Sequence, residues 1–276
     1  MIQSTFQLAP GLRTAREQRL WEAGIACWDD FLAAPGGVLP ARAERRLRGA
    51  IAAARAAVAA RDPGELATLL PSTEHWRLLP AFGADAAYLD IEVGDDVVGF
   101  EGISAIGICD ARGPRLLLGG RDLSDFPAAV RGCSMLVTFN GLSFDVPILR
   151  RAFPDWQPPR CHVDLRHLLR RAGWDGGLKP IERALGLRRP DHLDGIGGWD
   201  TCWLWRRGRD GDRAALRRFA EYNLYDVIGL RSLAAIAYNA LVEAIAVEAV
   251  RDTVPRLSVP GRGDVLYDVS KILLAL

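Results

Sequence analysis

Short apolar runs in the middle of the chain predict β-strands. The first three runs follow one another closely, whereas helical patterns at residues 124–131, 144–153 and 165–172 lie between or after the later ones. Three strands in a meander, followed by alternating strand and helix, predict an α/β domain with a mixed sheet. The five runs cover residues 86–93, 103–110, 115–118, 135–139 and 161–165.

The pattern on either side of this region is helical. Residues 1 to about 75 predict helices, including an alanine- and arginine-rich stretch that Asp62-Pro63-Gly64 ends. Residues 213–233 predict another helix, and the tail is helical apart from a Pro/Gly-rich interruption at residues 259–263. We therefore expect an N-terminal helical region over residues 1–78, the α/β domain over 79–235 and a C-terminal helical extension over 236–276.

The first candidate motif is Tyr88-Leu89-Asp90-Ile91-Glu92-Val93. Side chains alternate along a strand, so Asp90 and Glu92 share one face while the apolar residues share the other. Two carboxylates among apolar neighbours are costly to bury unless they are protonated, paired or bound to a cation. A hard divalent ion is the natural partner, although an exposed edge strand would explain the same pattern.

The second motif, residues 137–145, ends in Phe139-Asn140-Gly141-Leu142-Ser143-Phe144-Asp145. Asn-Gly indicates a turn after an apolar strand, and a helix is predicted to start near Ser143, with Pro147 in its first turn. Asp145 therefore projects from a helix start beside the carboxyl end of a strand, where α/β sheets tend to bind ligands. An acidic residue favoured by the helix dipole is the alternative.

The third motif is Tyr222-Asn223-Leu224-Tyr225-Asp226 on the predicted helix. Tyr222 and Asp226 are four residues apart, so they share one helical face, and a phenol beside a carboxylate can orient water. Taken alone, this pair fits an ordinary contact between helices better.

Together the three motifs resemble those of the DnaQ-like exonucleases of the ribonuclease H-like superfamily. Their order and spacing match the tyrosine-containing DEDD branch, and within it the YprB-type ribonuclease H-like domain proteins. The resemblance covers roughly residues 84–234 and implies a ribonuclease H-like mixed five-stranded sheet flanked by helices. Carried over by position, the catalytic residues are Asp90, Glu92, Asp145, Tyr222 and Asp226.

The resemblance implies a two-metal 3′→5′ exonuclease acting on single-stranded DNA or RNA ends. Asp90, Glu92, Asp145 and Asp226 would hold two Mg²⁺ or Mn²⁺ ions, and Tyr222 would hydrogen-bond the attacking water. Asp164 and Asn140 are taken as supporting residues. Leu178-Lys179-Pro180-Ile181-Glu182 also fits the branch, and we interpret it as structural. The loop after Glu92 departs from relatives by adding Asp95 and Asp96, which leaves strand-end binding open.

Composition and charge exclude few classes of function. A formal charge of +1 excludes a global basic field, and 33 of the 35 basic residues are arginine because only Lys179 and Lys271 are lysines. A coding bias explains that excess better than phosphate binding does. Five scattered cysteines fit reduced thiols, the start of the chain does not resemble a signal peptide, and charged residues interrupt the most apolar helix. We expect a cytoplasmic protein with no membrane span.

Three further patterns were weighed. Cys161, His162 and His167 match no standard zinc spacing, so a structural role is favoured. Residues 194–200 are glycine-rich without a nucleotide-binding motif, and we expect a mobile loop over the site. Residues 9–25 resemble a degenerate helix-hairpin-helix element, for which packing is favoured over backbone binding. Phe139 and Phe144 are expected in the core rather than stacked on bases.

Two alternatives to the exonuclease stay open. One is a catalytically silent nuclease fold that binds nucleic acid or a protein, and the other is a structure-specific endonuclease. All four acidic positions and the tyrosine are present, whereas a silent domain would be expected to have lost some of them. This favours an enzyme.

Overall fold

A computed structural model describes residues 1–94, 100–260 and 269–276 of the chain. Asp95 and Asp96 of the loop after the first strand, and residues 261–263 of the interrupted tail, lie outside the described residues. One mixed sheet organises the described part. Its strands are β1 (Ala86–Val93), β2 (Ile103–Asp110), β3 (Gly113–Leu118), β4 (Met135–Thr138) and β5 (Cys161–Asp164).

The sheet has the strand order β3-β2-β1-β4-β5. The β1–β2 and β2–β3 pairs are antiparallel, and the β1–β4 and β4–β5 pairs are parallel. The predicted five-stranded mixed sheet is therefore confirmed. Because β1 lies in the centre, the edge-strand explanation of Asp90 and Glu92 is wrong.

Helices surround this sheet and form the two flanking regions. The longest, α11, continues ten residues past the predicted end at Leu233, because alanines favour the helix there. The segment at residues 194–200 is not a loop throughout, since a helix begins at Gly198 and Asp200 caps it by accepting a hydrogen bond from the Gly197 N–H. The α-helices in the described ranges are α1 (Thr14–Glu22), α2 (Trp28–Ala33), α3 (Ala41–Ala59), α4 (Pro63–Leu69), α5 (Leu79–Phe82), α6 (Phe126–Ala129), α7 (Asp145–Ala152), α8 (Leu165–Arg171), α9 (Leu178–Ala184), α10 (Gly198–Arg209), α11 (Arg213–Glu243), α12 (Glu248–Arg251) and α13 (Ser270–Leu274). None of these helices has both the length and the apolar character that a membrane crossing requires.

Each face of the sheet has its own core. Leu89 and Ile91 point to the side covered by α6 and α7, where they pack in a cluster with Phe126 and Leu149. Tyr88 points to the opposite side, where α11 packs. The alternation predicted for β1 is thus confirmed, and it turns Asp90 and Glu92 towards α11.

A buried ion network joins the N-terminal helices to the rest of the chain. Arg77 pairs with Glu17 of α1 at 2.8 Å and with Glu74 at 2.6 Å, and all three side chains are almost fully buried. Arg171 of α8 binds the other oxygen of Glu74 at 2.6 Å. Such charges are tolerated in a core only when they are paired, so this network fixes α1 against the strand-and-helix layers. Helix α1 itself buries Leu20, in agreement with the packing role favoured for this segment.

Candidate metal centre and active site

Three carboxylates meet at the centre of the sheet. Asp90 and Glu92 come from β1 and Asp226 comes from α11, and one oxygen of each lies within 4.8 Å of the other two. Within residues 1–94, 100–260 and 269–276, no other set of three His, Cys, Asp or Glu side chains approaches this closely. The structure therefore brings together three of the four predicted metal ligands.

Asp145 lies next to this triad without being part of it. It is the first residue of α7, it is only 2% exposed, and its Oδ1 accepts a hydrogen bond from the Ile91 N–H at 3.0 Å. That bond anchors the carboxylate to β1 between Asp90 and Glu92. Burial, and then the charge of Asp90, raise the pKa of Asp145 well above its ordinary value.

Asn223 orients Asp90, a role that sequence reasoning missed although the motif string contains the residue. Its Nδ2 donates to Asp90 Oδ2 at 3.0 Å. Gly107 of β2 is paired in register with Asp90, and a Cβ at that position would lie 2.2 Å from Asn223 Oδ1. Glycine is therefore required there, because only a residue without a side chain lets α11 approach the sheet closely enough for this hydrogen bond.

Two cations also reach the triad, and both were missed. Lys179 of α9 forms an ion pair with Asp226, and Arg189 Nη2 binds the same carboxylate at 2.5 Å. The Lys179 ammonium lies 4.4 Å from the centre of the Tyr222 ring. The Lys179 segment, interpreted from the sequence as structural, thus places an ammonium group beside the triad. The one available signal was the rarity of lysine in this arginine-rich chain.

Glu182 holds Arg189 in place. The Arg189 guanidinium donates to both oxygens of Glu182, at 2.8 and 2.9 Å, and Glu182 is buried against α11 at Gly229. The remaining nitrogen, Arg189 Nη1, is buried and has no hydrogen-bond partner in the described part of the chain. A buried guanidinium N–H without a partner costs free energy, which the ion pairs of Arg189 with Glu182 and Asp226 offset.

The pKa values of these groups reflect crowding. Burial raises the pKa of Asp90 to about 6 even though Lys179 and Arg189 oppose the shift. Burial, and then the charge of Asp90, raise the pKa of Glu92 to about 8. Burial and the neighbouring Arg189 lower the pKa of Lys179 to about 7. Burial raises the pKa of Tyr222, so its phenol keeps its proton.

The triad opens into a pocket of about 470 Å³. Phe139, Phe144 and Tyr222 line it together with the acidic groups, and Phe144 is 41% exposed. The expectation that Phe144 belongs to the core is therefore wrong. On the far side, Thr201 Oγ1 of α10 donates to Glu92 Oε2 at 3.0 Å, which fixes this carboxylate against the helix.

Asp164 and Asn140 shape the loop that carries Phe144. Asp164 accepts hydrogen bonds from the Asn140 and Leu142 N–H groups, at 2.8 and 3.0 Å, and also caps α8. Asn140 has a left-handed backbone (φ 65°), which asparagine tolerates, and its side chain accepts from Arg166 at 2.8 Å. Both residues position the loop and neither lies in the triad.

The donor set fits a divalent cation. The three ligands are carboxylate oxygens, which hard ions such as Mg²⁺ and Mn²⁺ prefer, and such an ion would share Asp226 with Lys179 and Arg189. Cys161 and His162 offer no comparable cluster, because His162 Nε2 lies 2.9 Å from Thr138 Oγ1 and burial raises the pKa of the Cys161 thiol to about 12.

Comparison with known proteins identifies a family. A family model described as the RNase H superfamily matches residues 88–238, more than half of the chain, and the matched range includes all five predicted catalytic residues. No curated protein and no solved structure shows a significant match to the chain.

Proposed function

The chain belongs to the ribonuclease H superfamily, and from that membership we propose that it is a metal-dependent 3′→5′ exonuclease acting on single-stranded DNA or RNA ends. The membership supports a nuclease and a nucleic acid substrate. The observation that carries the finer proposal is the meeting of Asp90, Glu92 and Asp226 within 4.8 Å in an open, aromatic-lined pocket. The DEDD branch with tyrosine, the YprB-type relationship and the 3′→5′ direction rest on the motif resemblance.

The residues divide the chemistry as follows. Asp90, Glu92 and Asp226 would hold divalent ions, with Asp145 as the fourth ligand in the proposed two-ion site. Such ions, Mg²⁺ or Mn²⁺, supply an activated water and offset the negative charge that develops at phosphorus. Asn223 keeps Asp90 Oδ2 oriented throughout, because its amide already donates to that oxygen.

Tyr222 and the two cations, Lys179 and Arg189, lie beside the acidic triad. The protonated phenol of Tyr222 is a hydrogen-bond donor or acceptor for the attacking water. Lys179 lines the same pocket and presents positive charge to it, whereas Arg189 contributes its charge indirectly, by pairing with Asp226. Charged hydrogen bonds of this kind are worth most where charge grows in the transition state.

A second candidate is the catalytically silent binding module. The observation that favours it is that Lys179 and Arg189 already neutralise Asp226. A built-in cation pair could stabilise the acidic cluster without a metal ion. The two functions differ in whether the protein hydrolyses a bound strand or only binds it.

The test is hydrolysis of 5′-labelled single-stranded DNA and RNA with Mn²⁺. We expect a descending ladder from the wild type and none from Asp90→Ala, and the preferred sugar follows from the two strands. Asp155→Ala removes an exposed carboxylate after α7 and serves as the matched control. A strand that the wild type binds but does not shorten would support the silent module, and internal cuts would support an endonuclease.

A further inference from the structure

Two tryptophans on the outer face of α10 are exposed beside the metal centre. Trp199 is 88% exposed and Trp203 is 54% exposed. Large aromatic side chains are normally among the more buried residues, and exposed apolar groups at a site mark a binding surface. The same helix keeps Trp205 only 5% exposed in the core, so its tryptophans are divided between the two faces.

The exposed rings are aligned. Trp199, Trp203 and Arg207 are spaced four residues apart, which places them on one helical face over about 12 Å. The Arg207 guanidinium lies 4.7 Å from the centre of the Trp203 ring. Two flat aromatic faces followed by a stacked arginine form a surface that we term the tryptophan platform.

The platform is attached to the metal centre. On the inner face of α10, Thr201 donates to Glu92 and the Cys202 thiol contacts the Val93 carbonyl at 3.5 Å. Gly198 and Cys202 line the pocket that contains Asp90. The platform therefore begins one residue from the pocket wall, within reach of a strand that leaves the pocket along α10.

We propose that the tryptophan platform binds the bases of a single-stranded nucleic acid that extends from the pocket. This inference rests on the proposed function, and it adds the part of the substrate that the platform holds. Bases of a single strand expose their flat faces, and stacking on aromatic rings tolerates any sequence. Arg207 and Arg209 pair with Asp212 and Asp210 just after α10, so the aromatic faces rather than the charge of the helix carry this inference.

The experiment measures binding and requires no hydrolysis. Fluorescence anisotropy of labelled twelve-nucleotide and two-nucleotide oligothymidylates, and of the matching oligouridylates, is recorded with Ca²⁺ as the divalent ion. The double variant Trp199→Leu/Trp203→Leu keeps apolar side chains but removes the rings. We expect it to bind the long strands at least about tenfold more weakly than the wild type, because each stacked base contributes measurably. The dinucleotides, which can stack on fewer of the rings, should lose less affinity than the long strands.

A matched variant distinguishes the loss of aromatic stacking from other effects of replacing the two tryptophans. Trp199→Phe/Trp203→Phe keeps aromatic faces and should stay within a few-fold of the wild type. Equal long-strand affinity for the wild type and the leucine variant would overturn the proposal, as would equal weakening for both lengths. Loss of self-association in light scattering, with strand binding unchanged, would assign the platform to a second copy of the chain instead. A wild type that fails to cleave leaves this binding test intact, so the two failures can be told apart.

A measurement on the wild-type protein does not depend on whether the variants fold. Stacking quenches indole emission, so the long strand should quench tryptophan fluorescence more than the dinucleotide does. Equal quenching by both lengths would contradict the platform.

Discussion

Gly107→Ala tests the packing that aligns α11 with the sheet. The new Cβ would lie 2.2 Å from Asn223 Oδ1 and 2.8 Å from Val227 Cγ1. Ordinary contact begins near 3.4 Å, so the Asn223 amide would have to retreat by about 1.2 Å (3.4 minus 2.2). Its 3.0 Å hydrogen bond to Asp90 cannot survive such a displacement unchanged.

Two costs contribute to the expected loss of stability. Overpacking a core position typically costs about 1–3 kcal/mol, and a hydrogen bond to a charged group is worth about 1.5–3 kcal/mol. Replacing a strand glycine returns about 0.5–1 kcal/mol through reduced chain entropy. We expect the free energy of unfolding to fall by about 2–4 kcal/mol. Mn²⁺ should also raise the free energy of unfolding less in the variant than in the wild type, because Asp90 loses its orienting donor.

Urea unfolding followed by circular dichroism measures the change, with and without Mn²⁺. Gly49→Ala is the matched control, since Gly49 is exposed on α3 and a Cβ there meets nothing within 4 Å. The free energy of unfolding of that variant should rise by up to about 1 kcal/mol. If Gly107→Ala were as stable as the wild type and responded equally to Mn²⁺, the proposed role of Asn223 would be refuted.

Three further predictions concern Lys179, Tyr222 and the half-buried His162. Lys179→Met should bind Mn²⁺ about tenfold more tightly in calorimetry, because a divalent ion no longer competes with an ammonium for Asp226; unchanged affinity would place the ion elsewhere. Tyr222→Phe should slow hydrolysis by about ten- to a hundredfold without abolishing it, and an unchanged rate would make the phenol structural. Burial lowers the pKa of His162 to about 4, below its unfolded value, so the unfolded chain binds the extra proton. The contribution of His162 to the free energy of unfolding should therefore be full above pH 6.5 and fall by about 3 kcal/mol towards pH 4. The raised pKa values of Asp90 and Glu92 act in the opposite direction, so the measurement is the difference between urea titrations of the wild type and of His162→Gln; a difference that does not change with pH would exclude the histidine.

Local patterns predicted the sheet and the shared face of Asp90 and Glu92 because both depend on short-range regularities, whereas the grouping with Asp145 and Asp226 came from the family resemblance. Alternation along residues 86–93 is enough to place Asp90 and Glu92 on one face, and the structure has those strand bounds unchanged. The Asn140-Gly141 turn is likewise encoded locally, since a Cβ at Gly141 would lie 2.3 Å from the side chain of Thr138. Such features need no knowledge of what packs against them.

The residues that were missed depend on distant partners. Lys179 reaches Asp226 across 47 positions of sequence, and Asn223 reaches Asp90 across 133. Nothing in the neighbourhood of either residue specifies its partner, because the contact exists only once α9 and α11 pack on the sheet. Thr201 was missed for the same reason, compounded by the glycines before it, which favoured a loop over the observed helix.

The charges of the assembled site help to choose between the enzyme and the silent module. Asp90, Glu92, Asp145 and Asp226 form the acidic site, Lys179 and Arg189 offset two of its charges, and Glu182 occupies the guanidinium of Arg189. With every group ionised, these five carboxylates against two cations leave three negative charges, and the raised pKa values of Glu92 and Asp145 show that protons relieve part of this excess when no metal ion is bound. A phosphodiester would be repelled from such a pocket. The two built-in cations therefore explain how Asp226 is stabilised when buried, but they do not make the pocket attractive to a nucleic acid, whereas divalent ions at the same carboxylates would do so. This imbalance favours the metal-dependent nuclease over a module that binds strands without metal.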